Sequence, residues 1–227
     1  MNALGYAVVA ALANIAGAAA VTWRARWSDK ALETMIALSA GFMIAVALTA
    51  MLPEALARGG SNAAFAALVG YLLVHLTQHT LAPHFHFGVE THVVSELVSV
   101  SALIGLLLHT FVDGVAIASG FHVSTALGVL IFVAILLHKF PEGVAISSLF
   151  LAAGASRSRA LVAAGALGIA TIAGVLVTGV VPGLATYGLA LSAGVTLYVA
   201  ASNLVPEFQS KRGARLPIAF FIGAMLF

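Results

Sequence analysis

Apolar residues run along this chain in stretches of about twenty, separated by short clusters of Arg, Lys, Gly, Pro and Ser. Runs at about 3–22, 31–52, 62–81, 95–120, 125–150, 159–181 and 184–205 are each long enough to cross roughly 30 Å of hydrocarbon at about 1.5 Å per residue. An eighth begins at Leu216 and reaches Phe227 after twelve residues, about 18 Å of helix, so it is either a short last crossing or the start of a longer one. The pattern predicts an all-α integral membrane protein of eight transmembrane helices, with a histidine-containing connection over 82–94 between the third and fourth. The first run lacks a basic leader and a soluble domain behind it, so it is expected to remain as a helix rather than be cleaved.

Composition adds an exclusion. With 62% of residues apolar and only 8% charged, one soluble core of this length cannot hide the hydrocarbon surface. No cysteine is present, so a metal would have to be held by His, carboxylate, Met or backbone oxygen. The basic residues mark loops and not a nucleic-acid surface. Arg24, Arg26 and Lys30 fall between the first and second runs, Arg157 and Arg159 between the fifth and sixth, and Lys211, Arg212 and Arg215 between the seventh and eighth, while Arg58 alone lies on the opposite side. The positive-inside rule then predicts both termini outside and the 3–4 loop in the cytoplasm. Trp23 and Trp27 stand at the cytoplasmic end of the first run, where interfacial indoles belong.

The chain also repeats itself. His109-Thr-Phe-Val-Asp113-Gly-Val-Ala-Ile-Ala-Ser-Gly-Phe121 and His138-Lys-Phe-Pro-Glu142-Gly-Val-Ala-Ile-Ser-Ser-Leu-Phe150 agree at eight of thirteen positions. Farther out, Leu38-Ser-Ala-Gly41 through Leu-Pro53-Glu54 in the second run matches Leu191-Ser-Ala-Gly194 through Val-Pro206-Glu207 in the seventh at the same spacing. Members of each pair cross the membrane in opposite directions in the predicted topology. That is the signature of an inverted repeat, with a substrate site near the midplane between the halves.

Each thirteen-residue copy puts a histidine and a carboxylate four residues apart, which on a helix means one face and one turn. Ionisable groups inside a membrane are costly and are read as functional by default. Helices four and five are neighbours joined by a short link around His122 to Ser124, so their motif faces can meet at mid-membrane. His109, Asp113, His138 and Glu142 would then supply four N/O ligands suited to Zn²⁺ and acceptable to Fe²⁺, Mn²⁺ or Cd²⁺. The competing account is a pair of buried His–carboxylate hydrogen bonds that only stabilise the bundle. Pro141 lacks an N–H and leaves the Leu137 carbonyl without its helical partner, which suits either a polar cavity or a packing kink. Gly114 and Gly143, following the acids, permit close helix approach.

With these motifs in view the chain resembles the ZIP zinc/iron-regulated transporters over nearly its whole length. The resemblance rests on His109-Thr-x-x-Asp113-Gly, His138-Lys-x-Pro-Glu142-Gly, the Leu-Pro-Glu ending the second helix, the Leu-Tyr-Val-Ala-Ala-Ser-Asn-Leu-Val-Pro-Glu of the seventh and the His-rich 3–4 loop. It implies a single transmembrane domain over 1–227 with helices arranged three plus two plus three. It further implies a homodimer in a bacterial inner membrane, and a carrier, not an enzyme, that moves divalent metal toward the cytoplasm. His109, Asp113, His138 and Glu142 would be the central ligands, and Met43 a soft ligand or gate as against a core residue.

This chain departs from the family where many members hold a second metal, using the residue after each histidine and a glutamate from the sixth helix. Here those positions are Thr110 and Lys139; the sixth run contains no acid, and Thr171 lies about where the glutamate would be. A single-metal site is therefore expected. Two carboxylates and one ammonium leave the cluster at −1 with neutral histidines, and Lys139 can pair with Asp113 or Glu142 when no metal is bound.

A cytoplasmic exit relay could run through His75 and His79, then His84, His86, Glu90 and His92 in the loop, with Glu96 opening the fourth helix; the plainer alternatives are interhelical hydrogen bonds, a solvated loop and a helix-dipole contact. Ser202 and Asn203 are expected in the cytoplasmic part of the cavity, and Glu54 and Glu207, each after a proline, as caps. Two rival functions share the ligands. An intramembrane metal-dependent hydrolase would need room for a catalytic water and no His-Glu-x-x-His occurs; a metal-gated membrane receptor would bind without flux.

Overall fold

Helix is the only regular structure among the described residues of the computed structural model, which are 2–23, 29–80, 96–209 and 211–226; the side chains of residues 29, 96–98 and 207 are also outside the description. The helices are α1 (Ala3–Thr22), α2 (Asp29–Val46), α3 (Leu52–Thr80), α4 (Glu96–Val123), α5 (Thr125–Ala152), α6 (Arg157–Thr178), α7 (Pro182–Tyr198), α8 (Val205–Gln209) and α9 (Arg215–Met225). Six helical stretches are long and apolar enough to cross a membrane, and α9 is a shorter apolar helix.

Two boundaries differ from the sequence expectation, and prolines explain both. Instead of ending near residue 52, α2 passes through a π-helical turn at Ala47–Met51 directly into α3. Likewise α7 passes through a π turn at Val199–Leu204 into α8. Each wide turn lies just before a proline, Pro53 or Pro206, whose ring would clash with the carbonyl four residues back and supplies no N–H to it. Widening the helix absorbs that conflict without stopping the chain. The resulting helical stretch Lys30–Thr80 has 51 residues, which straight would be about 76 Å. It is broken at Gly60, where φ is 54° and ψ −138°, a left-handed backbone that glycine adopts without a Cβ penalty. Glu54 does not cap an end; it pairs with Arg58 one turn on, at 2.6 Å.

The α4–α5 link is a single residue. Ser124 is extended, and its hydroxyl accepts the Leu127 N–H at 3.1 Å, so one helix stops and the next is capped within one position. This tight reversal holds the two motif-bearing helices side by side.

The most extensive helix pairings are α3 with α7, α1 with α5, α4 with α6 and α2 with α9. Each is made by reciprocal glycine contacts. A methyl on Gly41 would overlap the Phe220 carbonyl and one on Gly223 the Leu38 carbonyl; Gly194 and Gly70 stand in the same way against Ala67 and Leu191. Gly17 faces the Phe140 carbonyl and Gly143 that of Asn14, while Gly174 faces Phe111 and Gly114 faces Thr171. Absence of a side chain at these points lets backbones touch, which is how helices associate in a solvent as apolar as their own surfaces. The main apolar cluster gathers Met43, Val46, Ile117, Ile131, Val195 and Tyr198, and a second holds Ala18, Leu106, Ile146 and Leu167.

Candidate metal site

The apposed faces of α4 and α5 bring His109, Asp113, His138 and Glu142 together, all buried, with one ligand atom from each inside 4.8 Å of the others. Asp113 is the hub. Its Oδ2 lies 3.4 Å from Nε2 of His109, 3.4 Å from Nε2 of His138 and 2.6 Å from the Lys139 ammonium. The ammonium also reaches Oε2 of Glu142 at 2.7 Å and is fully enclosed. Thr110 donates to Oε1 of Glu142 at 3.0 Å, sharing its single hydroxyl proton with the Leu106 carbonyl. The residue after each histidine thus contacts the acid of the other helix, Thr110 to Glu142 and Lys139 to Asp113, which ties the two copies into one unit.

This geometry suits a cation. Nδ1 of His138 faces the Ala134 carbonyl at 3.1 Å, and a carbonyl only accepts, so Nδ1 carries the proton. In the neutral ring Nε2 then presents a lone pair toward a carboxylate oxygen. A backbone bond that fixes the tautomer in this way is the usual outer support of a metal-ligating imidazole. Zinc–ligand bonds of about 2.0–2.1 Å at tetrahedral angles put ligands about 3.3 Å apart, close to the two 3.4 Å separations at Asp113. The rings of His109 and His138 are 5.5 Å apart between centroids, and Nδ1 of His109 is buried without a hydrogen-bond partner. What the cluster can do chemically is hold one divalent ion once the ammonium gives way.

The ZIP zinc transporter family model matches residues 86–226. The chain belongs to this family. No curated protein matches it. ZIP membership suggests divalent metal transport, and the buried cluster fits a metal site.

A narrow cleft borders the cluster. Ile36 and Ser39 of α2, Leu106 of α4 and Pro141 of α5 form its walls with Val199, Asn203 and Leu204 of the second π turn; His109, His138 and Glu142 lie along it. Asn203 therefore lines the approach to this ZIP site, whereas Ser202 is exposed and is not among the lining residues. Met43 is 1% exposed within the main apolar cluster and does not line the cleft. Thr171 is buried and donates to the Leu167 carbonyl at 3.3 Å, with its own carbonyl against Gly114; it stands beside the α4 motif but makes no bond to the four ligands. His75 and His79 stack at 4.2 Å on the exposed part of α3, apart from the cluster, and His75 meets Tyr198 edge-on. His84, His86, Glu90, His92, Arg24, Arg26 and Trp27 lie outside the described residues, as do the side chains of Glu96 and Glu207; Trp23 is exposed.

Asn14 escaped the sequence reading. It is completely buried on α1, neither amide atom has a partner, and its carbonyl packs on Gly143 next to Glu142. A lone amide inside an apolar run was the available signal, since a buried unpaired amide is expensive.

Proposed function

We propose that the protein carries a divalent transition metal, Zn²⁺ foremost with Fe²⁺, Mn²⁺ or Cd²⁺ as alternatives, across the bilayer toward the cytoplasm through one mid-membrane site. The ligands are His109, Asp113, His138 and Glu142. The observation that carries this reading is the buried tetrad beside a cleft. Lys139 takes the place of a second dication: it holds Asp113 and Glu142 in the empty site and lowers metal affinity enough for release, since a transport site must bind without trapping.

Direction is supported by where the cleft-lining residues fall. Ile36, Ser39, Leu106, Pro141 and Asn203 all lie in the halves of their helices that the charge bias assigns to the cytoplasm. Asn203 guides the ion outward from the ligands, and His75 and His79 remain exit-relay positions.

An eight-crossing, three-plus-two-plus-three inverted repeat within one domain over 1–227 is the architecture we infer, with the helical stretch 30–80 crossing twice by turning at Gly60. The reciprocal glycines support it. The pair Gly41 and Gly223 becomes Gly194 and Gly70 when the Leu-Ser-Ala-Gly copies are exchanged, and Gly17 and Gly143 become Gly174 and Gly114 when the central copies are exchanged. Ala11 and Gly168, each three residues before the carbonyls of Asn14 and Thr171, touch one another, as residues beside a twofold axis must. A homodimer in a bacterial inner membrane, with lipid around it, follows from family resemblance alone.

The test is flux. Proteoliposomes loaded with a zinc-sensitive dye should respond to an inward zinc gradient, and His138→Ala should abolish the response. Metal binding without any dye response in the parent protein would favour a receptor.

A further inference from the structure

Two pairs of serines occupy equivalent positions in the repeated segments and are in opposite states. Ser192 of Leu191-Ser-Ala-Gly194 is buried and donates across to the Val112 carbonyl of α4 at 3.3 Å. Ser119 of α4, also buried, donates back to the Leu184 carbonyl of α7 at 3.5 Å. The α4–α7 seam is therefore stitched shut. Their counterparts are Ser39 of Leu38-Ser-Ala-Gly41 and Ser148, which follows Glu142 at the distance Ser119 follows Asp113. Ser39 turns its hydroxyl into its own helix, to the Ile36 carbonyl at 2.9 Å, and Ser148 is exposed. The α2–α5 seam beside them is the cleft, with Ser39 and Pro141 both on its wall.

Val112 precedes Asp113 as Pro141 precedes Glu142, so the carbonyl that Ser192 engages has Pro141 O as its counterpart. Building on the transport reading, we propose that Ser39 and Ser192 are alternating latches. In the other access state Ser39 donates to the Pro141 carbonyl and closes the cleft, while Ser192 releases Val112 and turns back onto α7. A helical carbonyl has a second lone pair free to accept such a hydroxyl, so neither latch disturbs its helix. Each serine bridges two helices in one state only and returns its bond to its own helix in the other, which is the differential interaction a two-state carrier requires.

The absence of native cysteine makes the test direct. A reporter cysteine is placed at Leu106, or at Ile135, which stands three positions before His138 as Leu106 stands before His109; both side chains are buried, and only Leu106 lines the cleft. Modification rates with a membrane-impermeant maleimide are measured, without metal, in vesicles of each orientation. Ser39→Ala should raise the Leu106-to-Ile135 rate ratio by up to about fivefold, the ceiling set by one neutral hydrogen bond, and Ser192→Ala should lower it within the same ceiling. Ser39→Thr and Ser192→Thr retain the hydroxyl and should return to the parent ratio. Both alanine variants shifting the ratio the same way, or neither shifting it, overturns the latch. The readout needs no flux: normal zinc transport with an unmoved ratio refutes the latch alone, whereas reciprocal shifts in a protein without flux support the latch and refute transport.

Discussion

Replacing Lys139 with methionine keeps an unbranched side chain of similar volume but removes the one positive charge from between two buried carboxylates. In the parent the ammonium is 2.6 Å from Asp113 and 2.7 Å from Glu142, with no exposure to solvent. Removing one partner from a buried ionic cluster costs about 3–5 kcal/mol, because the charges left behind have neither water nor a counter-ion. The metal-free variant should lose stability of that order, read as an earlier unfolding midpoint in detergent. Zinc changes the sign of the situation. It meets a cluster at −2 rather than −1, so saturating zinc should recover most of the lost stability, and by linkage the affinity should rise about 100-fold for a difference of about 3 kcal/mol. Turnover in proteoliposomes should fall as release slows. An unchanged midpoint and unchanged affinity would refute the counter-ion argument; a destabilised variant that zinc does not rescue would leave Lys139 a structural role only.

Gly143→Ala should strongly destabilise the protein, by about 1–3 kcal/mol or more, because the new methyl overlaps the Asn14 carbonyl and sits 3.1 Å from the Asn14 Cα. Gly105→Ala, where nothing lies within 4 Å of the added carbon, should be neutral or stabilising by up to about 1 kcal/mol, and thermal melts of the two variants side by side check the contrast. Thr110→Val removes the hydroxyl that holds Oε1 of Glu142 at 3.0 Å; loss of about 1 kcal/mol of orientation should weaken zinc binding several-fold in a fluorescence titration, with the fold intact.

The extents of α4 and α5 were legible because a sustained apolar run is a local signal. Expected at 95–120 and 125–150, these helices occupy Glu96–Val123 and Thr125–Ala152. The meeting of their motif faces followed from the short link and the His-x-x-x-acid spacing. Pro53 and Pro206 misled, because proline is read as a helix stop, whereas a π turn before each lets the helix continue. Gly60, where the helix breaks, lies inside the connection expected between 52 and 62, but its role is a backbone angle, and one glycine beside another does not announce which of them bends. That Lys139 would bridge both acids rather than one was also beyond reading, since it depends on side-chain reach across two helices. Met43 could be either ligand or core by sequence, and its burial in the apolar cluster puts it on the packing side in this conformation. Asn14 was passed over because an amide without a nearby partner in sequence has no motif to belong to.

Metal content and ligand set, measured together, bear most directly on the claim that one ion is gripped between α4 and α5. Zinc-loaded protein should contain one metal per chain by elemental analysis. Its X-ray absorption fine structure should fit two imidazole nitrogens and two carboxylate oxygens at about 2.0–2.2 Å, and His138→Ala should lose the ion. Full zinc occupancy in His138→Ala, or an absorption spectrum without imidazole, would contradict it.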